Sequence, residues 1–133
     1  MQYPIVIHKD SKSDYGVTVP DLPGCFSAGS SFEEALSMAQ EAIECHAEGL
    51  LEAGELLPLP HSIELHQKKT KYRGGVWAMV SVDLSKLLKK AKRINITFPE
   101  RLLHQVDDYA SRQGETRSGL LAKAAMEYLT SHQ

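Results

Sequence analysis

The 133-residue sequence has only two cysteines, no long apolar run and no internal repeat. Cys25 and Cys45 lack CxxC spacing, which excludes a disulfide framework and a cysteine-based zinc site. We expect a reduced protein in which both cysteines fill the core. No stretch reaches the roughly 18 apolar residues that span a bilayer, and residues 1–10 lack the basic region and long apolar core of a signal peptide. The sequence therefore indicates a cytoplasmic protein without a membrane partner.

Histidine is present but does not form a recognisable metal motif. Six histidines are scattered along the chain, and no two of them have HxxxH spacing. A helical metal site usually needs such a pair, because side chains four residues apart share one helix face. On this pattern we expect no metal ligands and no cofactor.

The charges are divided unevenly between the two halves of the chain. Residues 1–64 hold eleven Asp or Glu against two Lys or Arg, which is a net charge of −9. Residues 65–133 hold thirteen Lys or Arg against six Asp or Glu, which is a net charge of +7. Such a division predicts two modules with different partners. A basic half suits a polyanion, whereas an acidic half suits a basic protein or indicates no partner at all.

The first module has the pattern of a small α+β domain, residues 1–82. Runs rich in β-branched and aromatic residues predict five strands, at residues 3–8, 15–19, 25–28, 61–66 and 75–82. Apolar residues at helical spacing predict one helix between Ser31 and Gly54, with capping-box spacing between Ser31 and Glu34. The order is therefore βββαββ, with the helix on one face of the sheet. Residues 83–92 predict a short connector helix.

The second module, residues 93–133, predicts one strand followed by two helices. Residues 93–98 alternate strictly, with Arg93, Asn95 and Thr97 on the polar face. Pro99 suits the first turn of a helix, and Gly114 ends that helix. Thr116 is the predicted N-cap of the second helix.

This second module cannot bury a sufficient core alone, because one strand and two helices expose both strand edges. Two copies solve the problem if their strands pair antiparallel and four helices cover the apolar face. We therefore predict a homodimer, and the sequence leaves open whether dimers join into tetramers. A two-stranded ribbon fits the major groove of DNA, where Arg93, Asn95 and Thr97 can reach base edges. The first backbone N–H groups of the second helix can hold a phosphate, helped by Thr116, Arg117 and Ser118.

The tail resembles the ribbon–helix–helix family of bacterial repressors. The resemblance rests on the alternating RINITF run, on Pro99 and on the Gly114–Ser118 sequence GETRS, and it covers residues 93–131. It implies base reading by Arg93, Asn95 and Thr97 and phosphate binding by Thr116, Arg117 and Ser118. Gly119 departs from the family pattern, in which a better helix former is usual.

Residues 3–82 resemble the HicB antitoxin family. The motifs are a strand ending in PDLPGC, a G-x-S-x-EEA helix start from Gly29, and an E-x-x-PxP exit from Glu55. The resemblance implies a degenerate ribonuclease H-like sheet that binds and masks a small basic toxin, HicA, which cleaves messenger RNA. It also implies that the chain represses its own operon by binding operator DNA. The expected function is that of an antitoxin and not of an enzyme.

Two other functions remain open from the residues alone. A ribonuclease H-like nuclease would need carboxylates around two magnesium ions, and Asp10, Asp14 and Asp21 are the candidates. All three lie in turn-like or Pro-rich segments, where Asp is common for turn reasons. Alternatively, the first module could sense a small ligand for a ribbon–helix–helix repressor.

Overall fold

The chain forms two compact units, Met1–Asp83 and Leu84–Gln133. The computed structural model describes residues 1–83, 87 and 91–133. Most of the predicted connector helix, residues 83–92, lies outside the described residues, although Leu87 is helical and buried. Among the described helices, none is long and apolar enough to cross a membrane.

The first unit contains a four-stranded antiparallel sheet with the order β3-β2-β1-β4. Its strands are β1 (Gln2–His8), β2 (Tyr15–Thr18), β3 (Phe26–Gly29) and β4 (Val76–Ser81). Four of the five predicted strands are confirmed to within two residues at each end. In the register of the sheet, Ile7 pairs with Val17 and Val6 pairs with Trp77.

The long helix α1 (Phe32–Glu52) confirms the predicted amphipathic helix and its start. The Ser31 hydroxyl accepts a hydrogen bond from the backbone N–H of Glu34, while the Glu34 carboxylate accepts one from the Ser30 hydroxyl. Its buried stripe consists of small and branched residues, namely Ala35, Ala39, Ile43 and Ala47. Cys25 is buried as predicted, and burial raises the pKa of its thiol. The prediction for Cys45 is wrong, because it lies on the exposed side of α1.

The predicted strand at residues 61–66 is also wrong. The segment instead forms the short helix α2 (Ile63–Gln67), followed by a 3₁₀ turn at Thr70–Tyr72. The Ser62 hydroxyl accepts a hydrogen bond from the backbone N–H of Leu65 and so caps α2. This N–H is thus satisfied without a neighbouring strand. His66 is buried, whereas Leu65 is exposed. The apolar and polar alternation of residues 61–66 therefore does not reflect which of these side chains are buried. The order of elements is therefore βββααβ and not βββαββ.

Both faces of the central strand β1 are covered. One face of the sheet carries Ile7, Val17 and Tyr15. On this face the Tyr15 ring contacts the ring of Phe32 at the start of α1. On the other face, the Trp77 ring contacts the rings of His66 and Tyr72. Helix α1 and the α2–3₁₀ segment therefore enclose the sheet from opposite sides, which explains why residues 3–7 are all buried.

The phenol of Tyr3 fixes the chain after α1 to the sheet. Its hydroxyl donates a 2.7 Å hydrogen bond to the backbone carbonyl of Pro58. Burial, with the charge of Asp21 as a second cause, raises the pKa of Tyr3 to about 12. Tyr3 is thus a neutral donor at physiological pH.

The second unit contains the two predicted helices, α3 (Glu100–Gln113) and α4 (Arg117–Ser131). Gly114 has a φ of 68° and ends α3, and the Thr116 hydroxyl accepts from Gly119 to cap α4. Residues 91–99 form neither helix nor strand in the single chain. Among the described residues of this unit, only Leu87, Ala110 and Thr130 are buried. The unit therefore has little core of its own.

We expect Gly29→Ala to lower the free energy of unfolding by about 2 kcal/mol, because an overpacked contact of this kind costs roughly 1–3 kcal/mol. A Cβ at Gly29 would overlap the backbone of Ala35, with the Ala35 Cα at only 2.7 Å. Gly49→Ala is the matched control, since a Cβ there meets nothing within 4 Å and lies inside α1. That control should raise stability by about 0.5–1 kcal/mol.

The measurement is denaturant unfolding of the two variants and the unsubstituted chain. The midpoints should shift in opposite directions with an unchanged slope. Equal midpoints for Gly29→Ala and Gly49→Ala would contradict the close approach of β3 and α1.

Candidate functional sites

The three proposed base-reading residues lie on an exposed segment without regular structure. Arg93, Asn95 and Thr97 are all exposed and have no ladder partner in the single chain. This arrangement leaves their side chains accessible, but it does not yet form a ribbon. A ribbon needs a second strand, which one copy of this segment cannot supply.

The apolar side chains of the same segment are exposed as well. Ile94 and Ile96, which alternate with the polar readers, are 68% and 62% exposed. Further large apolar side chains of the helices are exposed in this unit, namely Leu102, Tyr109, Tyr128 and Leu129. These exposed side chains add little to a core within the unit, which has few buried residues among those described.

The three proposed phosphate-binding residues lie together at the start of α4. Thr116 is the N-cap and its hydroxyl is occupied by the Gly119 N–H, at 3.0 Å. The backbone N–H groups of Arg117 and Ser118 belong to the first turn, where a helix has no acceptor of its own. Thr116 therefore contributes the helix start, while Arg117 and Ser118 offer N–H groups to an anion.

The Arg117 guanidinium has a partner that the sequence did not reveal. It donates two hydrogen bonds to the Asp107 carboxylate of α3, from Nε at 2.8 Å and from Nη2 at 2.7 Å. These hydrogen bonds hold the pKa of Asp107 below its usual value and raise that of Arg117. Both side chains are exposed, so this salt bridge contributes little to the stability of the unit. A phosphate would have to compete with Asp107 for this guanidinium.

The exposed side of α1 is strongly acidic. The helix carries six glutamates and no Lys or Arg, and these are Glu33, Glu34, Glu41, Glu44, Glu48 and Glu52. The boundary between the two units lies after Asp83 and not after residue 64. The basic residues at 68–73 therefore belong to the first unit and make its net charge less negative. Residues 1–83 hold twelve Asp or Glu against six Lys or Arg, so this unit remains acidic overall.

A cluster of Asp21, His61 and His66 was missed in the sequence. The Asp21 side chain is 1% exposed and receives His61 Nδ1 at 2.6 Å and His66 Nε2 at 3.0 Å. The backbone N–H of His61 also donates to Asp21 Oδ2, at 3.2 Å. No spacing rule could have found this cluster, because Asp21 lies forty residues before His61 in a different loop.

The same cluster bears on the nuclease alternative. Asp21 faces two histidines, and neither Asp10 nor Asp14 belongs to a metal-capable group among the described residues. Asp10 instead lies in the β1–β2 turn, where its backbone N–H donates to the Ser13 hydroxyl. The three aspartates suggested for magnesium chemistry are therefore not found together in the described structure.

A cleft of about 470 Å³ opens beside the Pro20–Cys25 loop. Its walls include Thr18, Pro23, Cys25, Phe26 and Tyr72, with Lys71 as a cationic side chain. The volume is in the range of small-molecule sites. This cleft is a candidate site for the ligand-sensing alternative.

The sequence matches the profile of a family described as HicB-like antitoxin of bacterial toxin–antitoxin system, over residues 3–125. A 14.9 kDa protein from the rep–hol intergenic region of Haemophilus phage HP1 is 44% identical. That match covers 98% of this chain and 99% of the phage protein.

Solved structures of HicB antitoxins have the same fold. The crystal structure of antitoxin HicB from Burkholderia pseudomallei is 48% identical, with a TM-score of 0.81 over 97% of this chain and 98% of that one. The separately crystallised N-terminal domain of that antitoxin is 44% identical and covers 62% of this chain and 99% of its own, with a TM-score of 0.56. A HicA3–HicB3 toxin–antitoxin complex contains a chain that is 34% identical, with a TM-score of 0.53, over 62% of this chain and 99% of its own. The chain therefore belongs to the HicB-like antitoxin family of bacterial toxin–antitoxin systems.

Proposed function

We propose that the unit Met1–Asp83 binds and neutralises a HicA-type toxin that cleaves messenger RNA, while the C-terminal unit represses the chain's own operon. The observation that carries the proposal is the likeness to Burkholderia HicB across nearly the whole of both chains. In this proposal the chain itself is a binding protein without catalytic residues.

The toxin-binding role is supported by charge. The acidic face of α1 is complementary to a small basic nuclease, and complementary potentials accelerate encounter and disfavour wrong partners. A chain of about three fifths the present length, 34% identical to this one, belongs to a HicA3–HicB3 toxin–antitoxin complex. We therefore assign toxin binding to the first unit.

The DNA-binding role is supported by the exposed apolar residues of the C-terminal unit. Pairing of two 93–98 segments would bury Ile94 and Ile96 against helices of both copies and satisfy the backbone of both strands. The opposite face of the ribbon would then present two copies of Arg93, Asn95 and Thr97. Guanine accepts bidentate hydrogen bonds from Arg, and adenine exchanges a bidentate pair with Asn.

The first prediction from this proposal separates the two roles. A fragment of residues 1–83 should neutralise a HicA-type ribonuclease and should not retard operator DNA, because the acidic helix and the exposed 93–98 segment lie in different units. The measurements are messenger RNA cleavage with added fragment and an electrophoretic mobility shift. The full-length chain is the control and should do both. Neutralisation that requires residues 93–133 would contradict this assignment.

The second prediction concerns assembly. Sedimentation at micromolar concentration should give at least twice the 14.8 kDa mass of one chain. Ile94→Lys should dissociate this dimer, because a charge would replace an apolar residue in the proposed core. Arg93→Ala, which changes the neighbouring residue on the polar face, should leave the mass unchanged. A 14.8 kDa species with full helical content in the unsubstituted chain would contradict the ribbon.

The third prediction distinguishes base reading from phosphate binding. Arg93→Ala and Asn95→Ala should weaken operator binding by roughly 1–3 kcal/mol and relax base preference. Arg117→Ala should weaken binding to all sequences alike and lower the salt slope by about one unit per subunit.

Two controls sharpen this comparison. Arg73→Ala removes the same charge from the first unit and should change neither observable. Asp107→Asn frees the Arg117 guanidinium and should strengthen binding to all sequences equally. If Arg93→Ala left base preference intact while Arg117→Ala abolished it, the helix and not the ribbon would read the groove.

A further inference from the structure

Asp21, His61 and His66 point their donor atoms at one small volume. One donor atom from each residue lies within 4.8 Å of the other two. Asp21 and His66 are almost fully buried, whereas the His61 side chain is 53% exposed. The cluster therefore has two buried donors, and it is open to solvent on the side of His61.

The chemistry of these donors suits a transition ion. Two imidazole nitrogens and one carboxylate oxygen are a common ligand set for Zn²⁺ and its neighbours, while Mg²⁺ and Ca²⁺ prefer oxygen ligands. In tetrahedral coordination with zinc–nitrogen bonds of 2.0–2.1 Å, neighbouring donors are about 3.3 Å apart. The His61 nitrogen lies 2.6 Å from Asp21 Oδ1 and the His66 nitrogen lies 3.0 Å from Asp21 Oδ2. An ion between them would widen these separations by about 0.7 and 0.3 Å, respectively.

His66 is poorly explained as a packing residue. Its ring is stacked on Trp77, with 6.2 Å between centroids and 6° between planes, and its edge meets Tyr72. Its Nδ1 atom is buried and has no hydrogen-bond partner among the described residues. An unsatisfied buried polar atom is costly, and an apolar ring would fill the same space without that cost. The functional end of this ring is therefore Nε2, which faces the Asp21 carboxylate at 3.0 Å.

We propose that Asp21, His61 and His66 bind one divalent transition ion of the Zn²⁺ class, with a fourth position open to solvent beside His61. On binding, each imidazole coordinates through the nitrogen that now faces Asp21, and its proton moves to the other ring nitrogen. His61 has solvent for that proton, whereas His66 places it on Nδ1. The ion joins the Pro20–Cys25 loop to α2, two segments that the sequence separates by about forty residues.

The chain contains its own reporter for this site. Trp77 is the only tryptophan, and its ring is stacked on His66. A paramagnetic ion at His66 should therefore quench the tryptophan fluorescence. Co²⁺ also gives visible absorption bands that report coordination by protein ligands.

The experiment titrates untagged, chelator-treated full-length protein with Co²⁺. We expect visible absorption bands and Trp77 quenching that both saturate at one ion per chain, and displacement of Co²⁺ by Zn²⁺ but not by Mg²⁺. His61→Ala should weaken binding by more than the roughly 10–100-fold that loss of a hydrogen-bond partner of a metal ligand costs, because it removes a ligand itself. His104→Ala is the matched control, since His104 is an exposed histidine of α3.

A second ligand variant protects the test against a folding defect. His61→Gln keeps a polar side chain at a half-exposed position, and circular dichroism verifies its fold. Unchanged binding in His61→Ala and His61→Gln overturns the proposal, as does failure of the unsubstituted chain to bind Co²⁺ or Zn²⁺ at micromolar concentrations. In either case the cluster is only a hydrogen-bond network that joins two segments of the chain.

Discussion

The burial of strand β1 on both faces is the constraint on which the first unit depends. Residues 3–7 lie in the middle of a four-stranded sheet and contact packed side chains above and below. Helix α1 covers only one face, so a second cover is needed. The α2–3₁₀ segment supplies it and brings His66 against Trp77. The acidic helix and the Asp21 cluster are thus placed with respect to the same sheet.

The C-terminal unit has the opposite problem. Two well-capped helices and an irregular segment leave Ile94, Ile96 and several helix residues exposed, and few described residues are buried. Local helix signals are strong here, so the helices form, but apolar burial is insufficient for an independent fold. In the proposed arrangement, association of two copies would supply the missing burial and would also create the surface that reads DNA. Folding, dimer formation and operator binding would therefore be linked in this unit.

Electrostatics divides the two proposed roles between the units. The glutamates of α1 form a face without a single Lys or Arg, which suits a basic partner. At the start of α4, Arg117 is already paired with Asp107, so the proposed phosphate contact would exchange one anion for another. Such a pair orients the guanidinium while reducing its attraction for DNA of any sequence. The proposed base-reading residues on segment 93–97 have no comparable competitor in the described structure.

Local sequence alone determined the elements whose signals lie within a few residues. These include the cap at Ser31, the Gly114 stop, the cap at Thr116 and four strands, and ordered motifs were enough to identify the family. Only the tertiary structure decided the helical state of residues 63–67, the exposure of Cys45, the Asp107 partner of Arg117 and the meeting of Asp21 with His61 and His66. The physical reason is range: a cap or turn is set by adjacent backbone groups, whereas burial and side-chain pairing depend on segments that are distant in sequence and meet only when the sheet is covered.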